Sequence, residues 1–146
     1  MQRSSGVGIS CTMLYVTDTH PLVYFSTGKT QKLGKQARRI FREAEQGRSR
    51  IAIPVTVLEE ILRLIEDRRI SLTMSFPDLV AYYQHEPSPF FIQDYSLAIL
   101  LSVAQYPAIR DPFDRVIVAT AHHLDYPLIT GDRFLHAGNF VPIVWD

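Results

Sequence analysis

A single cysteine, Cys11, is all that 146 residues carry. An internal disulfide is therefore excluded, and a reducing, cytoplasmic setting is favoured. No apolar run reaches membrane-spanning length, so no membrane partner is expected. The formal net charge is zero. The totals thus point neither to a basic nucleic-acid binder nor to an acidic tail, although a neutral sum is compatible with local patches of opposite sign. No glycine-rich phosphate loop is present, which weakens a nucleotide-binding reading. Among the five histidines, His122 and His123 are adjacent and face different sides of a helix, while His20, His85 and His136 are scattered. Neither a zinc spacing nor a nucleophile triad emerges.

What remains is an ordinary globular chain. Residues 1–12 are small and polar, lack the apolar core of a signal peptide, and read as a flexible N-terminal extension. Residues 13–146 suffice for one domain with a real core. Leu14-Tyr15-Val16-Thr17 reads as a buried strand ending at Asp18, with Thr19 placed to cap the helix that follows. Gly34 to Glu45 is helical, with Ala37, Ile40, Phe41 and Ala44 inward and Gly47 as its stop. Ile51-Ala52-Ile53 is a second strand. Thr56-Val57-Leu58-Glu59 fits a capping box, Thr56 at the N-cap and Glu59 reaching back. Leu58, Ile61, Leu62 and Ile65 then form that helix's apolar stripe.

Ser75 caps a further helix, Phe90-Phe91-Ile92 is a strand, and Ser96 to Gln105 is an apolar helix ended by Pro107. Aromatic residues around Tyr82, Tyr83, Phe90 and Phe91 suit a core better than a dimer face. Asp111 is a natural N-cap with Pro112 at the first helical position; Phe113, Val116, Ile117 and Ala121 follow at helical spacing. Leu128-Ile129-Thr130 and Ile143-Val144-Trp145 are the last strands. Strands alternating with helices predict a three-layer α/β/α sandwich around a central parallel sheet.

In such a sheet ligands gather at the carboxyl ends of the strands. Asp18 and Asp132 each sit just beyond a strand there. Asp114 opens a helix at the same edge, and Glu60 lies in the first turns of another. The bland alternative makes Asp18 and Asp111 caps and Asp114 a favourable first-turn acid. Four carboxylates brought together without counter-charge would repel and raise one another's pKa. A cation resolves that conflict, and hard oxygen donors suit Mg²⁺ or Mn²⁺. The chemistry of such an ion is phosphoryl transfer.

Four blocks in order carry a resemblance: Tyr15-Val16-Thr17-Asp18-Thr19-His20, Ile53 to Ile61, Asp111-Pro112-Phe113-Asp114-Arg115, and Leu128-Ile129-Thr130-Gly131-Asp132. From about Leu14 to Trp145 the chain resembles the PIN domain family, and within it the VapC-type ribonuclease toxins. The resemblance implies a Mg²⁺- or Mn²⁺-dependent endoribonuclease, usually a homodimer, held inactive by a small antitoxin protein. It implies Asp18, Glu60, Asp114 and Asp132 as the acidic quartet, Asp111 as an additional acid and Thr130 as the small polar residue near the last acid. Gly131 departs from the pattern, since many members carry an arginine or similar residue there; a looser turn is expected. PIN domains also serve in RNA maturation and decay, so toxin and processing roles both stand.

The expected reaction is metal-assisted hydrolysis of an RNA phosphodiester, leaving 5′-phosphate and 3′-hydroxyl ends. A basic helix face with Lys32, Lys35, Arg38, Arg39 and Arg42, together with Arg115, is either a solvated surface or a track for the RNA backbone. The rival class is a PIN-like module that binds RNA or protein without cutting. A phosphatase of the DxD type is disfavoured, because Asp18 is followed by Thr19 and His20.

Overall fold

The computed structural model describes residues 12–146. The extension expected over residues 1–12 therefore lies, Thr12 apart, outside the described residues. Five strands, β1 (Met13–Thr17), β2 (Ser49–Pro54), β3 (Phe90–Gln93), β4 (Leu128–Ile129) and β5 (Ile143–Val144), form one sheet in the order β3-β2-β1-β4-β5. Every neighbouring pair is parallel. Ile51, Ala52 and Ile53 have no exposed surface although successive residues face opposite sides, so helices cover both faces of the sheet. The expected three-layer architecture is the one observed.

Among the described residues seven α-helices fill the connections: α1 (Thr19–Ser26), α2 (Lys35–Glu45), α3 (Val55–Glu66), α4 (Phe76–Gln84), α5 (Leu97–Val103), α6 (Pro112–Leu124) and α7 (Arg133–Gly138). Helix α2 buries Ala37, Ile40, Phe41 and Ala44, the face its spacing predicts. Ser75 and Ser96 cap α4 and α5 through their hydroxyls, accepting from Asp78 and Ile99 amides at 3.2 Å each. Tyr83 and Phe90 are buried in the core with rings 5.1 Å apart, whereas the adjacent Tyr82 faces outward. Helix α6 is buried more fully than its predicted stripe. Val116 through Ala121 are all inside, because α5 packs across its outer side through Ile99. The opposite face of α5 leaves Leu97, Leu100 and Leu101 exposed.

Three local expectations are corrected. Thr56 and Glu59 form no capping box: β2 runs on to Pro54, which pairs with Gln93, and α3 starts at Val55. Thr56 is consequently inside the helix and buried, and Glu59 faces solvent beside Arg63 at 3.5 Å. Asp18 rather than Thr19 caps α1; its carboxylate accepts from the Thr19 amide, and Thr19 is the first helical residue. Gly131 loosens nothing. The Trp145 indole packs on it so closely that a Cβ would stand 2.7 Å from the ring. Trp145 also presses its carbonyl on Gly34, and that carbonyl accepts from the Ala37 amide at 2.9 Å. Trp145, read in the sequence as part of the last strand, lies just after it and ties the turn after β4 to the start of α2.

This packing makes a stability prediction. Gly131→Ala overpacks the Trp145 contact and should cost about 1–3 kcal/mol in urea unfolding. In a Trp145→Leu background the same substitution should cost less than about 0.5 kcal/mol. An undiminished cost in that background would show that the backbone at 131, not the indole, demands glycine.

Candidate active site

The strand order reverses at β1, which has β2 on one side and β4 on the other. A crevice opens at the carboxyl end of such a strand. Asp18 follows β1 directly and Asp132 lies just past β4. Helix α3 leaves the end of β2 and carries Glu60 in its second turn. Helix α6 returns the chain to the start of β4, so its N-terminus, with Asp111 and Asp114, lies at the same edge. The five acids line one cavity of about 370 Å³. Glu60 rather than Glu59 enters it.

Three of the acids also cap helices. Asp18 Oδ1 accepts from the Thr19 amide at 2.8 Å. Asp111 Oδ1 accepts from the Phe113 and Asp114 amides at 2.9 and 3.1 Å. Asp132 Oδ1 accepts from the Leu135 amide at 2.9 Å. The partial positive charge of three helix N-termini is thus turned on the cavity. The capping role and the site role coexist, since each cap uses one oxygen.

Two buried threonines brace the cluster. Thr130 Oγ1 donates to Asp18 Oδ2 at 2.7 Å and accepts from the Asp132 amide at 3.0 Å, joining the acids of β1 and β4. Thr19 Oγ1 donates to Glu60 Oε1, joining α1 to α3. Asp114 differs from the rest: among the described residues no protein donor reaches its carboxyl group.

The electrostatics follow. Burial pushes the Asp18 carboxyl up, against the opposing hydrogen bonds from Thr130 and Thr19. Burial likewise raises Glu60. Asp114 is pushed up to about 7, by burial first and then by the charges of Asp18, Asp111, Asp132 and Glu60. Among the described residues, the ion pairs are Arg39–Glu43 and Arg63–Glu59, and neither involves the cavity acids. His20 and Lys32 stand on the cavity wall, beside Tyr24 and Trp145. No three of the His, Cys, Asp and Glu side chains among the described residues converge into a ready-made metal cluster. The donors are nonetheless hard carboxylate oxygens, five of them against His20 and Lys32 in the same cavity, and hard oxygen donors in excess fit Mg²⁺ or Mn²⁺.

Of the basic residues, Lys32 precedes α2 and reaches this cavity, while the others lie apart from it. Lys35, Arg38, Arg39 and Arg42 line a separate hollow with Asp146. Arg38 is occupied by the Thr30 and Leu33 carbonyls at 3.3 and 3.2 Å. Arg115 Nε donates to the Val103 carbonyl at 3.0 Å, fastening α6 to α5. His20 has no second histidine at ligand spacing, and its one signal in the sequence is its place in the first turn after Asp18.

The sequence model of the PIN domain family matches residues 15–138. Among curated proteins none matches the sequence significantly. Solved structures similar to the chain include VapBC2 from Rickettsia felis bound to a DNA fragment from its promoter. There the TM-score is 0.65 at 17% identity, over 92% of this chain and 100% of the other. VapBC-1 from nontypeable Haemophilus influenzae gives 0.62 at 14% identity, over 90% and 97%. A toxin–antitoxin complex from Klebsiella pneumoniae gives 0.57 at 20% identity, over 87% and 94%. At these identities the likeness is one of fold.

The crowded acids set a pH dependence. Asp18, Glu60 and Asp114 have folded-state pKa values above their ordinary ones. Between 3.8 and about 7 the folded chain therefore holds a proton on Asp114 that the unfolded chain releases. Stability in EDTA should be greatest at low pH within this range and decline as pH rises through it. Asp114→Asn should flatten the upper part of the decline and stabilise the chain at neutral pH by on the order of 1–2 kcal/mol. Urea titrations at a series of pH values read this; stability that rises across the interval would contradict the crowding.

Proposed function

The chain belongs to the PIN domain family, and from that membership we propose that it is a metal-dependent endoribonuclease acting as the toxin of a toxin–antitoxin pair. One observation carries the chemistry. Five carboxylates share a cavity, one of them pushed up to about 7, and among the described residues none has an ion-pair partner. A bound Mg²⁺ or Mn²⁺ supplies the missing positive charge, polarises a phosphate and acidifies water.

Asp18, Asp114 and Asp132 would hold the ion, with Glu60 directly or through water and Asp111 in support. Asp18 is held at both oxygens and provides a fixed edge. Asp114, with no donor among the described residues, and the uncapped oxygens of Asp111 and Asp132 provide the freedom to close on an ion. Thr130 and Thr19 are positioning residues, orienting Asp18, Asp132 and Glu60. His20 and Lys32 line the same cavity as the acids and suit the non-bridging oxygens of the scissile phosphate. No side-chain nucleophile is required, and hydrolysis leaves 5′-phosphate and 3′-hydroxyl ends.

The toxin role rests on the structural neighbours, which include a toxin–antitoxin complex, and it brings a small antitoxin as partner. The outward Leu97, Leu100 and Leu101 of α5 support self-association as a homodimer. No described helix is long and apolar enough to cross a membrane.

Purified protein should cut mixed cellular RNA with Mn²⁺ or Mg²⁺ and stop with EDTA. Asp114→Asn should lose more than about 100-fold of that activity, and Thr130→Val about 10–100-fold by releasing Asp18. Cutting that survives EDTA, or an Asp114→Asn variant as active as its parent, would rule out the proposed centre.

A further inference from the structure

A second hollow, of about 710 Å³, runs between α1 and the C-terminal end of α3. It shares His20, Tyr24 and Lys32 with the acidic cavity, so the two form one continuous groove. The shared residues mark a change of sign. On the acidic side lie the carboxylates; on the far side Lys29, Arg68 and Arg69 join Lys32, and among the described residues no acid lines the wall. All four cations are exposed, and none is in an ion pair among the described residues. Leu64, Ile65 and Leu72 form an apolar floor beneath them.

The turn after α3 adds an independent observation. Arg68 has φ 57°, in the left-handed region where glycine or asparagine is preferred. The turn is closed by the Arg69 amide, which donates to the Leu64 carbonyl at 2.8 Å. An arginine here works against the backbone's preference, which points to use of its side chain. The α2 face offers less: Arg38 is tied to carbonyls and Arg39 sits by Glu43.

We infer that this groove holds the single-stranded RNA next to the scissile phosphate, its backbone on Lys29, Lys32, Arg68 and Arg69 and its bases over the apolar floor beside Tyr24. The inference rests on the nuclease reading and adds the path of the substrate. Charge decides the occupant. A strand whose phosphate reaches the acids can continue across the shared wall, and the cations beyond match a polyanion at successive phosphates. Aromatic and apolar surface suits exposed bases without selecting among them.

The test uses the full chain carrying Asp114→Asn, which keeps RNA intact, and a fluorescein-labelled RNA 20-mer of mixed sequence. Anisotropy titrations over a salt series compare Lys29→Gln with Arg69→Gln in one double variant, Lys35→Gln with Arg42→Gln in another, and the charge-keeping pair Lys29→Arg with Arg69→Lys. The groove double variant should bind about tenfold more weakly, with the slope of log K against log salt reduced by about 1.4, or 0.7 per lost phosphate contact. The α2 pair and the charge-keeping pair should bind as the parent does. A groove variant with unchanged affinity and slope overturns the inference. If the unaltered chain still cuts RNA in a metal-dependent way, only the path is wrong. If it neither binds nor cuts RNA, both readings fall. A groove variant that keeps RNA but loses an acidic amphipathic peptide would assign the groove to a protein partner and overturn the RNA path.

Discussion

Mutual repulsion among carboxylates at the end of β1 is the constraint around which this fold is arranged. Asp18 is buried, Glu60 is partly buried, and Asp114 is pushed up to about 7 by burial and by four neighbouring acids. A chain selected only for stability has no reason to gather five acids at one switch point. Three helix N-termini and two threonine hydroxyls make the arrangement tolerable. They satisfy one oxygen on most of the acids, and both on Asp18, without neutralising the cluster. The remaining deficit is positive charge, which a hard divalent cation would supply under the proposed function.

The same residues therefore answer to structure and to chemistry. Asp18, Asp111 and Asp132 each start a helix and each present an acid to the cavity. Thr130 links β1 to β4 through Asp18 and the Asp132 amide, and Trp145 seals the adjoining turn against Gly131. Precision at the cavity comes from strand ends and helix starts that cap and threonine hydrogen bonds hold in place. The slack is concentrated on Asp114, the one of the five cavity acids that no donor among the described residues reaches. Removal of charge and removal of packing should for that reason have opposite effects on stability.

Much of this was legible in the residues. Strand and helix periodicity placed all five strands and six of the seven helices, because apolar spacing carries the burial directly. The acids were legible because sheet topology fixes which ends of the elements meet. Helix α7 was missed: six residues are too few for a period, and its start, Asp132, already read as a site residue. The capping box at Thr56 failed because strand pairing through Pro54 outweighed a local motif. Lys29, Arg68 and Arg69 converge only in three dimensions, from two elements some forty residues apart. The α2 face, by contrast, stood out in the sequence because its cations share one helix, although the fold places them away from the cavity.

The central claim is that these acids are held in a state that a divalent cation relieves. Calorimetric titration of Mn²⁺ into the full-length chain at pH 6.5, repeated in two buffers of different ionisation enthalpy, tests it most directly. Asp114 holds its proton for much of the time at that pH. Binding should therefore release protons, and the apparent enthalpy should differ between the buffers in proportion. Asp114→Asn should bind more weakly and release fewer protons. Absence of Mn²⁺ binding, or binding with the same enthalpy in both buffers, would contradict the account.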